Sequence, residues 1–204
     1  MKKYSLGLYE KAMPGTLDWK EKLEAAKEAG YDFVEISIDA TEEKIARLDM
    51  TKEDRFEIIK AMYEVGMPIR TMCVSALTKY SLGNDKEEYC KRGMEILEKS
   101  LRLADDLGIR VVMIPGYDVY YEPSTEETRE RFAGNLRKTV GYAEKYGVLL
   151  GFETMETPFM NTCAKAMRYV SEINSPYLQI YPDIGNLANA LGDPLADLAD
   201  AHGH

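Results

Sequence analysis

Apolar residues recur at spacings of three and four in several stretches of the chain, and each stretch predicts a helix. Trp19, Leu23 and Ala26 form the first stripe. Phe56, Ile59 and Tyr63 form the second, behind Thr51 and Asp54, which are spaced as a capping box. Met94, Leu97, Leu101 and Ala104 make the third. Phe132, Leu136, Val140 and Ala143 make the fourth, behind Ser124 and Glu127, again spaced as a capping box. A fifth helix is expected over about 162–173, and the charged residues between stripes read as solvated faces. Short continuous apolar runs at 6–9, 33–38, 69–74, 111–114, 148–152 and 178–181 predict six strands. Their lack of strict alternation predicts strands covered on both faces, as in a parallel sheet.

Glycine punctuates this pattern. Gly30, Gly66, Gly108 and Gly147 each close a helical stretch just ahead of an apolar run, where a left-handed C-terminal cap is expected. They lie 36, 42 and 39 residues apart, too irregular for a solenoid but suited to alternating strands and helices. No Ser- or Gly-rich linker interrupts the series, so residues 1–204 read as one α/β domain. A doubly wound sheet would carry a Gly-rich phosphate turn after the first strand, and Tyr9-Glu10-Lys11-Ala12-Met13-Pro14-Gly15 is not one. A (β/α)8 barrel fits better, although it needs eight units and about 250 residues. The expectation is a barrel present as about its first six units; an open six-strand sheet is the alternative. Open edges would favour self-association, so a homo-oligomer is expected.

Composition narrows the function. Acidic residues outnumber basic ones 35 to 26, a net charge of −9 that disfavours a nucleic-acid partner. The longest apolar runs are too short to span a membrane, and Met1-Lys2-Lys3 is followed by too short an apolar stretch for a signal peptide. Cys73, Cys90 and Cys163 are widely spaced, as expected of reduced thiols in a cytoplasmic protein. The two histidines, His202 and His204, stand at the extreme C-terminus, which rules out a His-rich centre and disfavours a His-activated nucleophile.

Barrel chemistry sits at the C-terminal ends of strands, and here those ends are acidic: Glu10, Glu35 and Asp39, Glu153 and Asp183. Several carboxylates sharing a partly dry pocket require a cation to offset their repulsion. The pattern predicts a divalent metal on oxygen ligands, magnesium, manganese or zinc, with Glu153 and Asp183 the strongest candidates. The competing reading of these two is helix capping. For Glu10 and Glu35 a rim salt bridge competes with a substrate contact. The loop Tyr117-Asp118-Val119-Tyr120-Tyr121 suits either sugar binding or packing over the barrel mouth.

Several strings resemble one family. Leu8-Tyr9-Glu10-Lys11-Ala12, Asp32-Phe33-Val34-Glu35, Gly116-Tyr117-Asp118-Val119-Tyr120-Tyr121, Glu127-Thr128-Arg129 with Arg131-Phe132, and Tyr181-Pro182-Asp183-Ile184-Gly185-Asn186-Leu187 resemble the L-ribulose-5-phosphate 3-epimerases. These are also called L-xylulose-5-phosphate 3-epimerases, and some carry the name hexulose-6-phosphate isomerase. They are xylose-isomerase-like barrels. The resemblance implies four metal ligands: a Glu after strand five, an Asp after strand six, a His after strand seven and a Glu after strand eight. Glu153 and Asp183 match the first two. His204 matches the residue before strand seven and not the ligand. Relatives carry His-Arg-Arg where this chain has Leu77-Thr78-Lys79, so Lys79 is the one basic residue left to meet the sugar or its phosphate.

The implied reaction interconverts L-ribulose 5-phosphate and L-xylulose 5-phosphate by abstracting the C3 proton and forming an enediolate. A divalent metal on the neighbouring oxygens would stabilise that species, and each face of it needs an acid/base group. Glu153 would serve one face. Glu156 and Asn186, each three residues beyond a ligand, would hold sugar hydroxyls, with Glu10, Tyr117 and Lys79 as further substrate contacts. With two of four ligands and one of two bases, the 204 residues alone are expected not to epimerise. The rival readings are a sugar isomerase or dehydratase of the same superfamily, a DNA-binding endonuclease-IV-like member disfavoured by charge and histidine content, and a non-enzymatic sugar-phosphate-binding protein.

Overall fold

The structure is a computed structural model and describes residues 4–190 and 192–203. Met1-Lys2-Lys3 and His204, which entered the sequence reading, lie outside the described residues. Six parallel strands run β1 (Gly7–Tyr9), β2 (Phe33–Ser37), β3 (Ile69–Cys73), β4 (Val111–Pro115), β5 (Leu149–Glu153) and β6 (Leu178–Tyr181). They lie side by side in chain order, β1 to β6, with no reversal. A doubly wound sheet has a switch point where the order reverses, so the arrangement is that of a barrel wall. The curl is visible in one contact: Tyr181 Oη on β6 donates to Glu35 Oε2 on β2 at 3.2 Å. In a flat sheet those strands would be about 19 Å apart, four strand spacings, and the two side chains would not meet.

The helices are α1 (Trp19–Glu28), α2 (Glu42–Ala46), α3 (Lys52–Val65), α4 (Glu87–Leu107), α5 (Glu126–Tyr146), α6 (Cys163–Ile173), α7 (Ile184–Asn189) and α8 (Pro194–Asp200). The four predicted glycines all have positive φ, from 64° to 84°, and end α1, α3, α4 and α5. The Thr51–Asp54 capping box is present. The Ser124–Glu127 box is not. Thr125 and Thr128 cap α5 instead, because the Ser124 hydroxyl is turned to Asp118 Oδ2 at 2.8 Å. The stripe on α3 is also displaced. Phe56 and Tyr63 are exposed, and the helix buries Ile58, Ala61 and Val65. Small and branched side chains there suit a close neighbour, and α1 supplies it with buried Leu23 and Ala26.

Both rows of side chains on the parallel strands are largely covered, as the continuous apolar runs predict, but the two rows differ in character. Val34, Ile36, Met72, Val112, Ile114, Leu150, Phe152 and Leu178 are essentially inaccessible and form the layer between sheet and helices. The opposite row carries Tyr9, Glu35, Ser37, Thr71, Cys73, Met113, Gly151, Glu153, Gln179 and Tyr181, in register from strand to strand. That row is mostly polar and lines the inside of the curl. The fold therefore presents polar groups to one concave surface while its apolar core lies outside the sheet.

Candidate active site

The concave row leads upward to the C-terminal strand ends. Glu153 is the last residue of β5 and stands in register with Tyr181 on β6. Asp183 follows two residues later. Burial raises the Glu153 carboxyl, and the charges of Asp183, then Glu35, then Glu156 raise it further, to about 7. Carboxylates from β2, β5, and the loops after β5 and β6 thus bear on one point. Glu35 is also pushed upward by its burial, with hydrogen bonds from Thr71 and then Tyr181 opposing. The rim salt bridge expected from sequence is not formed: among the described residues no cation pairs with it, and its hydrogen-bond partners are Thr71 and the Tyr181 phenol.

Thr154 builds the seat between the two principal carboxylates. It is fully buried, and its hydroxyl accepts the Asp183 N–H at 2.9 Å. Its carbonyl accepts the Asn186 side-chain amide at 2.9 Å. Asp183 Oδ1 accepts the Asn186 N–H at 2.8 Å, capping α7. Asp183 therefore has the capping role that competed with the metal reading, and that cap is made through Oδ1. Asn186, expected on a sugar hydroxyl, uses its amide nitrogen to brace the two strand-end loops together. Thr154 went unnoticed in the sequence because a lone Thr after a strand carries no signal.

Glu10 is fully accounted for by protein partners. It is buried, and its carboxylate accepts from Arg47 through both oxygens at 2.7 Å, from Lys44 at 2.7 Å, from Lys22 at 3.0 Å and from the Ser37 N–H at 2.9 Å. Burial pushes its pKa up, but Arg47, Lys44 and the Ser37 amide outweigh that and hold it well below the carboxylate range. Of its two possible roles, this is the salt bridge, and the substrate contact is corrected accordingly. Lys79 is likewise not gathered with the carboxylates. The turn at Ser75–Thr78 buries Ala76 and Leu77 and leaves Lys79 exposed, 5.0 Å from the Tyr80 ring.

Tyr117 is buried, and its hydroxyl donates to Glu156 Oε2 at 2.6 Å. Tyr120 packs edge-on against it, with ring centroids 4.8 Å apart. On β1, Tyr9 Oη lies 3.1 Å from Ser37 Oγ and 3.4 Å from Cys73 Sγ. Burial first, then Glu35 and Glu153, push the Cys73 thiol up to about 11, against the Tyr9 hydrogen bond, so it stands as a neutral thiol at neutral pH.

The donor set suits a hard divalent cation: oxygen ligands, excess negative charge and partial burial. Among the described residues no three His, Cys, Asp or Glu side chains are grouped to enclose an ion by themselves. Among the described residues no helix is long and apolar enough to cross a membrane.

Comparison with known proteins bears on the same site. A family model for the xylose isomerase-like TIM barrel matches residues 23–204. The chain is 41% identical over 203 residues to L-ribulose-5-phosphate 3-epimerase UlaE of Escherichia coli O139:H28, covering 100% of this chain and 72% of that protein. Its backbone superposes on D-psicose 3-epimerase, solved in the presence of D-fructose, with a TM-score of 0.82 at 15% identity, over 98% of this chain and 70% of the other. An L-ribulose 3-epimerase gives 0.77 at 20% identity, over 98% and 67%. These two show the barrel fold. An acidic site at the strand ends of six βα units, the family match and the 41% identity together make the chain a member of the L-ribulose-5-phosphate 3-epimerase family of xylose isomerase-like TIM barrels, and an epimerase by class.

Proposed function

We propose that the protein inverts C3 of a ketopentose 5-phosphate, interconverting L-ribulose 5-phosphate and L-xylulose 5-phosphate, with a divalent metal. The observation that carries this reading is Glu153, a half-buried carboxyl at the C-terminal end of β5 on which the charges of Asp183, Glu35 and Glu156 bear. The name of the 41% identical relative supports the substrate.

The C3 proton is α to the C2 carbonyl and weakly acidic. Glu153 takes it. A carboxylate there can accept the proton and, once protonated, return it. Glu153 and Asp183 would hold the metal, which when bound supplies Lewis-acid stabilisation of the negative charge developing on the sugar oxygens. Thr154 and Asn186 keep Asp183 at a fixed place relative to Glu153. Glu156, held by the Tyr117 hydroxyl, faces the sugar hydroxyls. Inversion needs a second acid/base group on the opposite face, whereas proton exchange needs only one.

Exchange is therefore the direct test. The protein is incubated with L-ribulose 5-phosphate and Mg2+ in deuterium oxide, and the sugar is followed by NMR. Deuterium is expected at C3, and Glu153→Gln is expected to slow its entry by about two to four orders of magnitude. Exchange at C1 instead would identify an aldose–ketose isomerase, and unchanged exchange by the variant would remove Glu153 from its role.

A further inference from the structure

The Tyr117 loop is held by buried hydrogen bonds and close backbone contacts on both sides. Asp118 is fully buried, and its Oδ2 accepts hydrogen bonds from Ser124 Oγ at 2.8 Å and Thr128 Oγ1 at 2.6 Å. Its backbone carbonyl accepts the Gly83 N–H at 3.0 Å. A Cβ on Gly83 would stand 2.5 Å from that same carbonyl, so the two segments touch backbone to backbone. On the other side of Tyr117, a Cβ on Gly116 would collide with the Glu153 carbonyl and stand 2.6 Å from Met160 Cγ. The chain is thus fixed immediately before and after Tyr117, against α5, the Gly83 segment and the end of β5.

What this clamp presents is one hydroxyl. Tyr117 is 5% exposed, and its short bond runs to Glu156, which is itself exposed. A phenol donating to a carboxylate at 2.6 Å is a charge-assisted bond, and it fixes the direction in which the second carboxylate oxygen points. The buried phenol has little surface left for a sugar, whereas the carboxylate it aims has.

We propose that Tyr117, clamped by Asp118, is a positioning residue that acts on the substrate by aiming the Glu156 carboxylate and does not touch the sugar itself. The inference rests on the reading that Glu156 faces the sugar. It assigns Asp118 to the same device, one step further from the substrate.

The test is a double-mutant cycle read by binding, using calorimetric titration of L-ribulose 5-phosphate in the presence of Mg2+, with thermal melting as the control for folding. Tyr117→Phe is expected to weaken binding by about tenfold, with a melting temperature close to that of the parent. In a Glu156→Ala background the same change is expected to have no further effect, since there is nothing left to aim. Asp118→Ala is expected to reproduce Tyr117→Phe, and Asp118→Asn, which keeps an acceptor for both hydroxyls, to restore binding. Equal losses from Tyr117→Phe in both backgrounds would place the phenol on the sugar and overturn the proposal. Should Asp118→Ala fail to fold, the Tyr117 and Glu156 cycle still decides. If Glu156→Ala alone leaves binding unchanged, the reading beneath the proposal falls, and the proposal with it.

Discussion

Glu10→Gln isolates the one carboxylate whose role the structure reassigns. Glu10 is 2% exposed, and so nearly are two of its cations, Lys22 at 4% and Arg47 at 8%. Substitution removes the one carboxylate that pairs with these three cations among the described residues and turns an amide N–H toward at least one of them. Removing one partner of a buried ion pair destabilises by about 3–5 kcal/mol, because the remaining charge stays buried without compensation. Two of the cations also lie over the Trp19 ring. Lys22 Nζ and Arg47 Cζ lie 5.1 and 5.2 Å from its centroid, and each cation–π contact contributes about 0.5–2 kcal/mol. Those contacts exist in both proteins, however, so the expected loss remains near 3–5 kcal/mol. At about 2–4 °C per kcal/mol for a chain of this size, the melting temperature should fall by about 6–20 °C. Urea unfolding followed by circular dichroism gives the free energy directly. The pH dependence adds a second readout. The folded pKa of Glu10 lies below its unfolded value of 4.5, so the stabilisation is present above about pH 4.5 and is lost as pH falls through the folded value. The parent should lose this increment on acidification and the variant should not. A loss under about 1 kcal/mol, or weaker sugar-phosphate binding with unchanged stability, would refute the structural role.

Three further substitutions have expected outcomes. Folding raises the Glu153 pKa from 4.5 to about 7, so metal-free stability falls as pH rises through that window. Glu153→Gln should therefore melt higher than the parent at about pH 8 and equally at about pH 4, and an identical shift at both would contradict the carboxylate crowding. Mg2+ should raise the melting temperature of the parent more than that of this variant. Thr154→Val leaves the Asp183 N–H without its acceptor and should lose about 1–3 kcal/mol in denaturant unfolding, with weaker Mg2+ binding; full retention of both would remove Thr154 as the brace. Gly93→Ala drives a methyl into the Tyr80 carbonyl from within α4, and backbone cannot yield as a side-chain tip can. A loss of about 1–3 kcal/mol is expected, and a neutral result would show that α4 can shift.

Element order, the four glycine caps and the acidic strand ends were legible in the chain, because each depends on near neighbours. A helix end needs a left-handed residue where the helix stops, and Gly66, Gly108 and Gly147 supply it without reference to the rest of the fold. Glu153 and Asp183 were legible for the same reason, each following directly on an apolar run. The α3 stripe does not mark the buried face: Phe56 and Tyr63 are apolar at helical spacing, yet helix–helix packing selected the face with Ile58 and Ala61. The cap of α5 moved by one residue because Asp118, six residues away, took the Ser124 hydroxyl.

The sequence by itself determined a series of parallel strands alternating with helices and placed carboxylates where the strands end. Only the tertiary structure decided what each carboxylate does. Three cations from α1, α2 and the turn after α2 converge on Glu10 and neutralise it, whereas none pairs with Glu35 or Glu153 among the described residues. The curl of the sheet brings β2 within hydrogen-bond reach of β6 and turns a scattered set of acids into one crowded interior. Charge is a property of residues, but its compensation depends on distances between segments far apart in the chain, and those are set by how the sheet closes.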